Sequence, residues 1–358
     1  MISSVVGMKA ILLAGGKGTR LRPLTIHTPK PIVPIFDRPF LQLQLDLIKK
    51  APEIDEVILS LNYQPRRIEE IYGDGGDSGL ALRYMIEPAP LGTAGAIRFA
   101  ADALRDSVVV FNGDVLTEID LQAVIALHRE RRARATIVLT PVENPSAYGL
   151  VETDGDSNIL RFLEKPDANQ ITTDTINAGI YVLEPETFDR IPSDQPWSIE
   201  RSFFPSLIER RETFVAYVYR GYWIDIGTPE KYMQVHRDIM ARRYRTAPFT
   251  GERSGACVAP SARIEDGAII EAPCFIDEDV VVKAGARIGA NSVIGRHCHI
   301  EERASIEGSI VWANTRISQE AVVRDAILGR HCHIGRNAVV EGGTVLGDKS
   351  VITDYTRL

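Results

Sequence analysis

Cysteine is scarce, long apolar runs are missing and the net charge is not positive; each shortage removes a class of function. Four cysteines in 358 residues, none in a CxxC pair, fit reduced thiols better than a disulfide framework or a structural zinc site. No apolar run approaches the roughly 20 residues that cross a bilayer, so a soluble chain with no membrane partner is expected. A net charge of -7 argues against broad nucleic-acid binding, which needs a basic face. The first eight residues lack the basic start of a signal peptide, so a cytoplasmic location is expected.

What is present is ordinary in bulk and unusual in arrangement. Hydrophobic residues at 44% and charged residues at 25% suit a globular chain, and the length exceeds one typical core, so two domains are expected, over 1–245 and 255–358. Despite the acidic total, residues 17–36 carry Lys17, Arg20, Arg22 and Lys30 without one Asp or Glu, which makes a local anion site.

From residue 9 to about 244, short apolar runs alternate with helical patterns, as in a doubly wound α/β domain with a parallel sheet. Strands are predicted at 9–13, 56–61, 108–111 and 136–140, and helices at 41–50, 66–72, 93–104 and 121–132. Ligands of such sheets lie beyond the carboxyl ends of the strands, so the loops after Leu13 and Phe111 are the places to search. After a basic, polar stretch at 242–254 the period becomes six. Val258, Ile264, Ile270, Ile276, Val282, Ile288, Ile294, Ile300 and Ile306 share one register, and Leu328, Ile334, Val340, Leu346 and Ile352 a second. The mismatch places a break between Trp312 and Val322. A small residue stands two positions before each, and side chains at i and i+2 share a strand face, so both point inward. This pattern resembles the hexapeptide-repeat left-handed parallel β-helix. His297-Cys298-His299 and His331-Cys332-His333 imitate metal clusters, but each Cys falls on the inward small position and cannot join outward His residues in one ligand set.

The run Leu13-Ala14-Gly15-Gly16-Lys17-Gly18-Thr19-Arg20 is a buried strand end followed by glycines and cations. Glycine lets backbone N–H groups approach a phosphate, and Lys and Arg supply counter-charge. Neither the P-loop spacing nor the dinucleotide fingerprint is met; a plain flexible turn is the alternative. Two acids stand at strand ends: Asp114, after 108–111, and Asp225, before Thr228 and Pro229 start a helix as N-cap and N1. Two carboxylates near phosphates suit Mg²⁺, although each alone also reads as a cap or solvated loop acid, and Asn112-Gly113 as a hairpin turn.

GGKGTRLRPLT of residues 15–25, followed by Pro29-Lys30-Pro31, resembles the signature of the nucleotide-sugar pyrophosphorylases. That resemblance implies transfer of a nucleotidyl group from a nucleoside triphosphate to a sugar 1-phosphate, with release of pyrophosphate. It further implies that Leu13, Gly15, Gly16, Gly18 and Thr19 embrace the triphosphate, that Arg20 and Lys30 hold the departing pyrophosphate, and that Asp114 and Asp225 bind Mg²⁺. By the same resemblance Lys165 of Glu164-Lys165-Pro166 holds the sugar phosphate, Glu164, Asn177 and Gly149 meet the sugar, and Gly92 of Leu91-Gly92-Thr93-Ala94 lies against the base. Within the family the chain looks most like the mannose-1-phosphate guanylyltransferases, which makes GTP and mannose 1-phosphate the expected pair. Other bases, and glucose or heptose, stay open, as does a non-catalytic sensor subunit. Homo-oligomerisation through the repeats is expected.

Overall fold

Runs such as Ala10-Ile11-Leu12, with no exposed surface, make strands covered on both faces, and they form the centre of a mixed sheet. The computed structural model describes residues 7–358 except 77, 78, 103, 194 and 251–254. The reading of residues 1–6, residue 103 of the predicted helix 93–104, and residues 251–254 of the polar stretch lie outside the described residues. The chain folds as two units, Met1–Gly16 with Leu41–Trp223, and Lys17–Phe40 with Ile224–Leu358.

The first unit holds strands β1 (Met8–Leu13), β2 (Ile54–Leu61), β3 (Ala81–Ile86), β4 (Val108–Asn112), β5 (Ala135–Pro141), β6 (Gly149–Thr153), β7 (Ile159–Glu164), β8 (Thr175–Leu183) and β9 (Phe214–Val218). Their order is β7-β6-β8-β4-β1-β2-β3, with β5 joining β8 to β9. β4, β1, β2 and β3 run parallel, as expected. β8 runs antiparallel to β4 and β5, so the sheet is mixed. Helices α1 (Phe40–Ile48), α2 (Pro65–Tyr72), α3 (Gly92–Ala100), α4 (Leu121–Glu130) and α5 (Phe204–Glu209) accompany it. Asp120 caps α4 by accepting from the N–H groups of Gln122 and Ala123, which fixes where the chain turns after β4. A short strand, Val115–Thr117, does follow β4 directly, but it does not return along it; the hairpin alternative is thereby removed.

The second unit combines residues 17–40, helix α6 (Pro229–Met240) and the repeats. Thr228 caps α6 with Pro at its first turn. The repeats form three columns of short parallel strands, two of six and one of five among the described residues, the left-handed parallel β-helix that the six-residue period predicts. Ile276, Val282, Ile288, Ile294 and Ile300 are fully buried in its bore. The single break expected between Trp312 and Val322 is corrected by the structure. Ile306, Val311, Ile317, Val323 and Leu328 all lie in the bore, so the register changes through two five-residue steps, one from Ile306 to Val311 and one from Val323 to Leu328. Gly308 and Asp325, both at positive φ, make those tighter corners.

Cys298 and Cys332 point inward, their thiols donating to the Trp312 and Gly347 carbonyls at 3.2 Å. Burial pushes the Cys298 thiol up to about 12. His297 and His331 hold left-handed corner positions, while His299 and His333 lie on the exposed face. No helix among the described residues is long and apolar enough to cross a membrane.

Candidate active site

Leu13 closes β1, and the chain leaves the sheet through Gly15 and Gly16. A Cβ on Gly15 would stand 3.1 Å from the Asn62 nitrogen and from Glu87 Oε1, whereas one on Gly16 would meet nothing within 4 Å. Gly15 therefore serves packing, and Gly16 leaves room for a ligand. Glu87 gathers this end of the sheet: its carboxylate accepts from Ser60 Oγ at 3.0 Å and from the Leu91 N–H at 3.2 Å. The strand end of the glycine loop and the segment entering Gly92 are thus fixed by one buried carboxylate.

Gly92 sits at φ 71°, and a Cβ there would come within 2.7 Å of the Trp197 carbonyl oxygen. Ala94 donates to that oxygen at 2.9 Å, and Trp197 donates to the Leu91 carbonyl at 2.8 Å. Thr93 Oγ1 accepts from the Ile199 N–H at 2.8 Å and donates to Glu200 Oε2 at 3.0 Å. The 197–200 segment clamps this loop, and nothing local in the sequence announces a pairing across more than a hundred positions.

Asp114 follows β4 on a tight turn. Gly113 donates to the Leu13 carbonyl at 2.9 Å, and a Cβ at Gly113 would stand 2.4 Å from that oxygen. Only glycine lets the Asp114 turn approach the end of β1 this closely. Gln44 straddles the turn from α1, donating to the Asn112 and Val115 carbonyls at 3.1 and 2.9 Å. Its apolar neighbours in the sequence gave no sign of this role.

Gly149, Glu164, Lys165 and Asn177 come together at the ends of β6, β7 and β8. Gly149 pairs with Glu164, and a Cβ on Gly149 would stand 3.0 Å from Glu164 Oε2. Burial raises the Glu164 carboxyl above its ordinary range; the Glu200 charge adds to the effect, and Lys165 and Arg201 oppose it. Lys165 takes a left-handed conformation at φ 51° and its N–H donates to the Tyr148 carbonyl at 3.0 Å, which leaves its side chain exposed. Asn177 sits at an irregularity where β8 slips against β5. Its side chain accepts from the Gly179 N–H and donates to Tyr181 Oη, both at 2.9 Å. Trp223 lies beside this group, donating to the Ala178 carbonyl at 2.9 Å and meeting Tyr148 edge-on. An acid, a cation, an amide and an aromatic wall form a cradle suited to a sugar bearing a phosphate.

In the second unit Gly18 is left-handed at φ 60°. Its carbonyl accepts from Thr25 Oγ1 at 2.7 Å, and a Cβ on it would crowd Thr25 and Lys30 at 3.1 and 3.2 Å. Thr19 opens a 3₁₀ turn that contains Arg20, and Lys30 opens another. Arg20 and Asp225 meet around Gly227, where a Cβ would stand 2.7 Å from Asp225 Oδ2 and 3.0 Å from Arg20 Nη1. The Lys231 ammonium donates to the other Asp225 oxygen. Asp225 is almost fully buried, with the Lys231 ammonium on one carboxylate oxygen and the Arg20 guanidinium near the other. Asp114 and Asp225 both offer the hard carboxylate oxygens that a divalent cation takes, and members of this family use such a cation.

Residues 9–242 match the Nucleotidyl transferase family, and residues 270–358 match the GMPPB C-terminal domain. The chain belongs to the nucleotidyl transferase family. Among its relatives is the mannose-1-phosphate guanylyltransferase of Mycobacterium tuberculosis, 38% identical over 88% of this chain and 82% of that one. The UTP–glucose-1-phosphate uridylyltransferase of Synechocystis is 33% identical over 89% of this chain and 86% of that one. Among solved structures, HddC from Yersinia pseudotuberculosis complexed with GMP-PN superposes with a TM-score of 0.56. It is 30% identical, covering 65% of this chain and 99% of that one.

Proposed function

We propose that this nucleotidyl transferase couples GTP to mannose 1-phosphate, forming GDP-mannose and pyrophosphate. The cradle of Gly149, Glu164, Lys165 and Asn177 carries the reading. A cation on a held turn, beside a half-buried carboxylate and an oriented amide, suits a phosphate and hydroxyls on one small molecule. The choice of guanosine and mannose rests on the relative from Mycobacterium tuberculosis. UTP with glucose 1-phosphate is the second reading, favoured by the uridylyltransferase of Synechocystis.

In this reading residues 1–245 form the catalytic domain and residues 255–358 the repeat domain. Leu13, Gly15, Gly16, Gly18 and Thr19 hold the triphosphate through backbone groups, and Gly92 faces the base. Lys165 orients the sugar phosphate, one of whose oxygens forms the new bond to the α-phosphorus. The bond from that phosphorus to the β-phosphate oxygen breaks, and the leaving pyrophosphate is neutralised by Arg20 and Lys30. The attacking oxygen is already anionic, so no side chain has to remove a proton. Asp114 and Asp225 are assigned to Mg²⁺, which when bound lowers the charge that the two phosphates present to each other.

Steady-state kinetics across GTP, UTP, dTTP, CTP and ATP, each with mannose and glucose 1-phosphates, tests the assignment. The highest kcat/KM is expected for GTP with mannose 1-phosphate; a maximum for UTP with glucose 1-phosphate would transfer the assignment to the second reading. A homo-oligomer built through the repeats, in the cytoplasm, completes the proposal. Light scattering checks the assembly, and a monomer at micromolar concentration would remove it.

A further inference from the structure

The cationic segment 17–36 is fastened to one corner of the repeats. Val311, Leu328 and Leu346 stack in one column of parallel strands, so the residues just after them, Trp312, Gly329-Arg330 and Gly347, lie above one another at the same corner. Each touches the segment or its support. Arg330 Nη1 donates to Thr28 Oγ1 at 2.6 Å, and its guanidinium lies 5.0 Å from the Trp312 ring centroid. Trp312 Nε1 donates to Tyr232 Oη at 3.0 Å, and Tyr232 in turn donates to the Pro34 carbonyl. A Cβ on Gly347 would stand 3.0 Å from Cβ of Pro23. The segment is therefore fixed at Pro23, Thr28 and Pro34, on either side of Lys30.

The corner itself is braced from within. Cys298 and Cys332 donate to the Trp312 and Gly347 carbonyls, and Thr315 Oγ1 donates to that of Gly329 at 3.0 Å. These are inward polar groups in a bore filled mainly by aliphatic side chains, and each satisfies a carbonyl of the corner that carries the segment.

We infer that this corner is a positioning device for the pyrophosphate-binding cations, with Arg330 as its central positioning residue. The inference rests on the assignment of Lys30 proposed above. Thr28 is fully buried and two residues from Lys30, and Lys30 packs with Thr25 around Gly18. A guanidinium locked against an indole and a hydroxyl thus sets the place of the ammonium and of the glycine turn together. Preorganisation of that kind acts on a developing charge without further ordering at the moment of reaction. The repeat domain would then serve the chemistry as well as assembly.

The test is pyrophosphorolysis by the full-length protein: GDP-mannose with pyrophosphate, read as GTP formed. Arg330→Ala and Thr28→Val are each expected to raise KM for pyrophosphate by roughly 10- to 100-fold, the worth of one hydrogen bond to a charged group. KM for mannose 1-phosphate in the forward direction should be unchanged. The double variant should be no worse than Arg330→Ala alone, because Thr28→Val removes a bond already lost there, and Arg330→Lys should recover part of the loss. Arg336→Ala, which removes only an exposed pair with Asp354, is the control and should leave every constant alone. If Arg330→Ala fails to fold, Thr28→Val carries the test. An unchanged KM for pyrophosphate in an active protein, or an equal loss in all constants, overturns the inference; a wild-type protein silent in both directions overturns the functional reading beneath it as well.

Discussion

At the scale of single residues, the surroundings of a side chain decide at what pH it is charged. Glu164 is the clearest: burial and the Glu200 charge raise its carboxyl, so it takes up its proton at a higher pH than an ordinary Glu. If its ionised form holds sugar hydroxyls, kcat/KM for mannose 1-phosphate should fall as pH drops through that raised midpoint. Glu200→Gln removes a neighbouring charge and should move the midpoint down; superposable pH profiles for the two proteins would contradict the role. Lys165→Ala should lower kcat/KM for the sugar phosphate by roughly 100-fold, the scale for losing a charge-assisted contact to a phosphate, with KM for GTP little changed. The residues proposed for the site could be named from the sequence because glycine, Lys and Asp occur there in a family pattern. Glu200, Gln44 and Trp223 were not, since their roles come from contacts across the fold.

At the scale of elements, close backbone approach and buried titratable groups set what the structure tolerates. Gly113→Ala would place a Cβ 2.4 Å from the Leu13 carbonyl oxygen. The turn bearing Asp114 must then move, and a loss of about 1–3 kcal/mol in unfolding free energy is expected together with a fall in kcat; chemical denaturation and steady-state rates check both. His236 of α6 accepts from the Phe36 N–H through Nε2 and meets the Tyr232 carbonyl through Nδ1, an arrangement made by the neutral ring with its proton on Nδ1. Burial lowers its pKa to about 4. Its folded value lies below the unfolded value of 6.5, so its contribution is complete above pH 6.5 and is lost as pH falls toward 4. The loss amounts to about 3 kcal/mol. His236→Gln should flatten that part of the stability-versus-pH curve, and an unaltered acid slope would show that other groups control it.

Strand positions such as 9–13 and 108–111 were readable because buried parallel strands are continuously apolar. The slip at Asn177 and the two five-residue steps at Gly308 and Asp325 were not, because each depends on which distant strand the chain pairs with. A count of sixes sees only that two residues have been lost between Ile306 and Leu328, and puts the loss in one place.

At the scale of the whole molecule, sequence and structure agree on a nucleotidyl transferase sheet and a parallel β-helix. The change of period from 3.6 and 2 to 6 made the β-helix readable. What sequence could not supply is the link between Thr28 and Arg330, which are 302 positions apart and individually unremarkable. The central claim is transfer rather than hydrolysis: the triphosphate should be cleaved only when a sugar 1-phosphate is there to receive the nucleotide. The measurement is product stoichiometry for the purified protein with Mg²⁺, GTP and mannose 1-phosphate. Equal amounts of pyrophosphate and GDP-mannose are expected, with none of either when the sugar phosphate is omitted and a near-complete loss in Asp114→Asn. Pyrophosphate or orthophosphate released without mannose 1-phosphate, or GDP-mannose formed at full rate by Asp114→Asn, would contradict it.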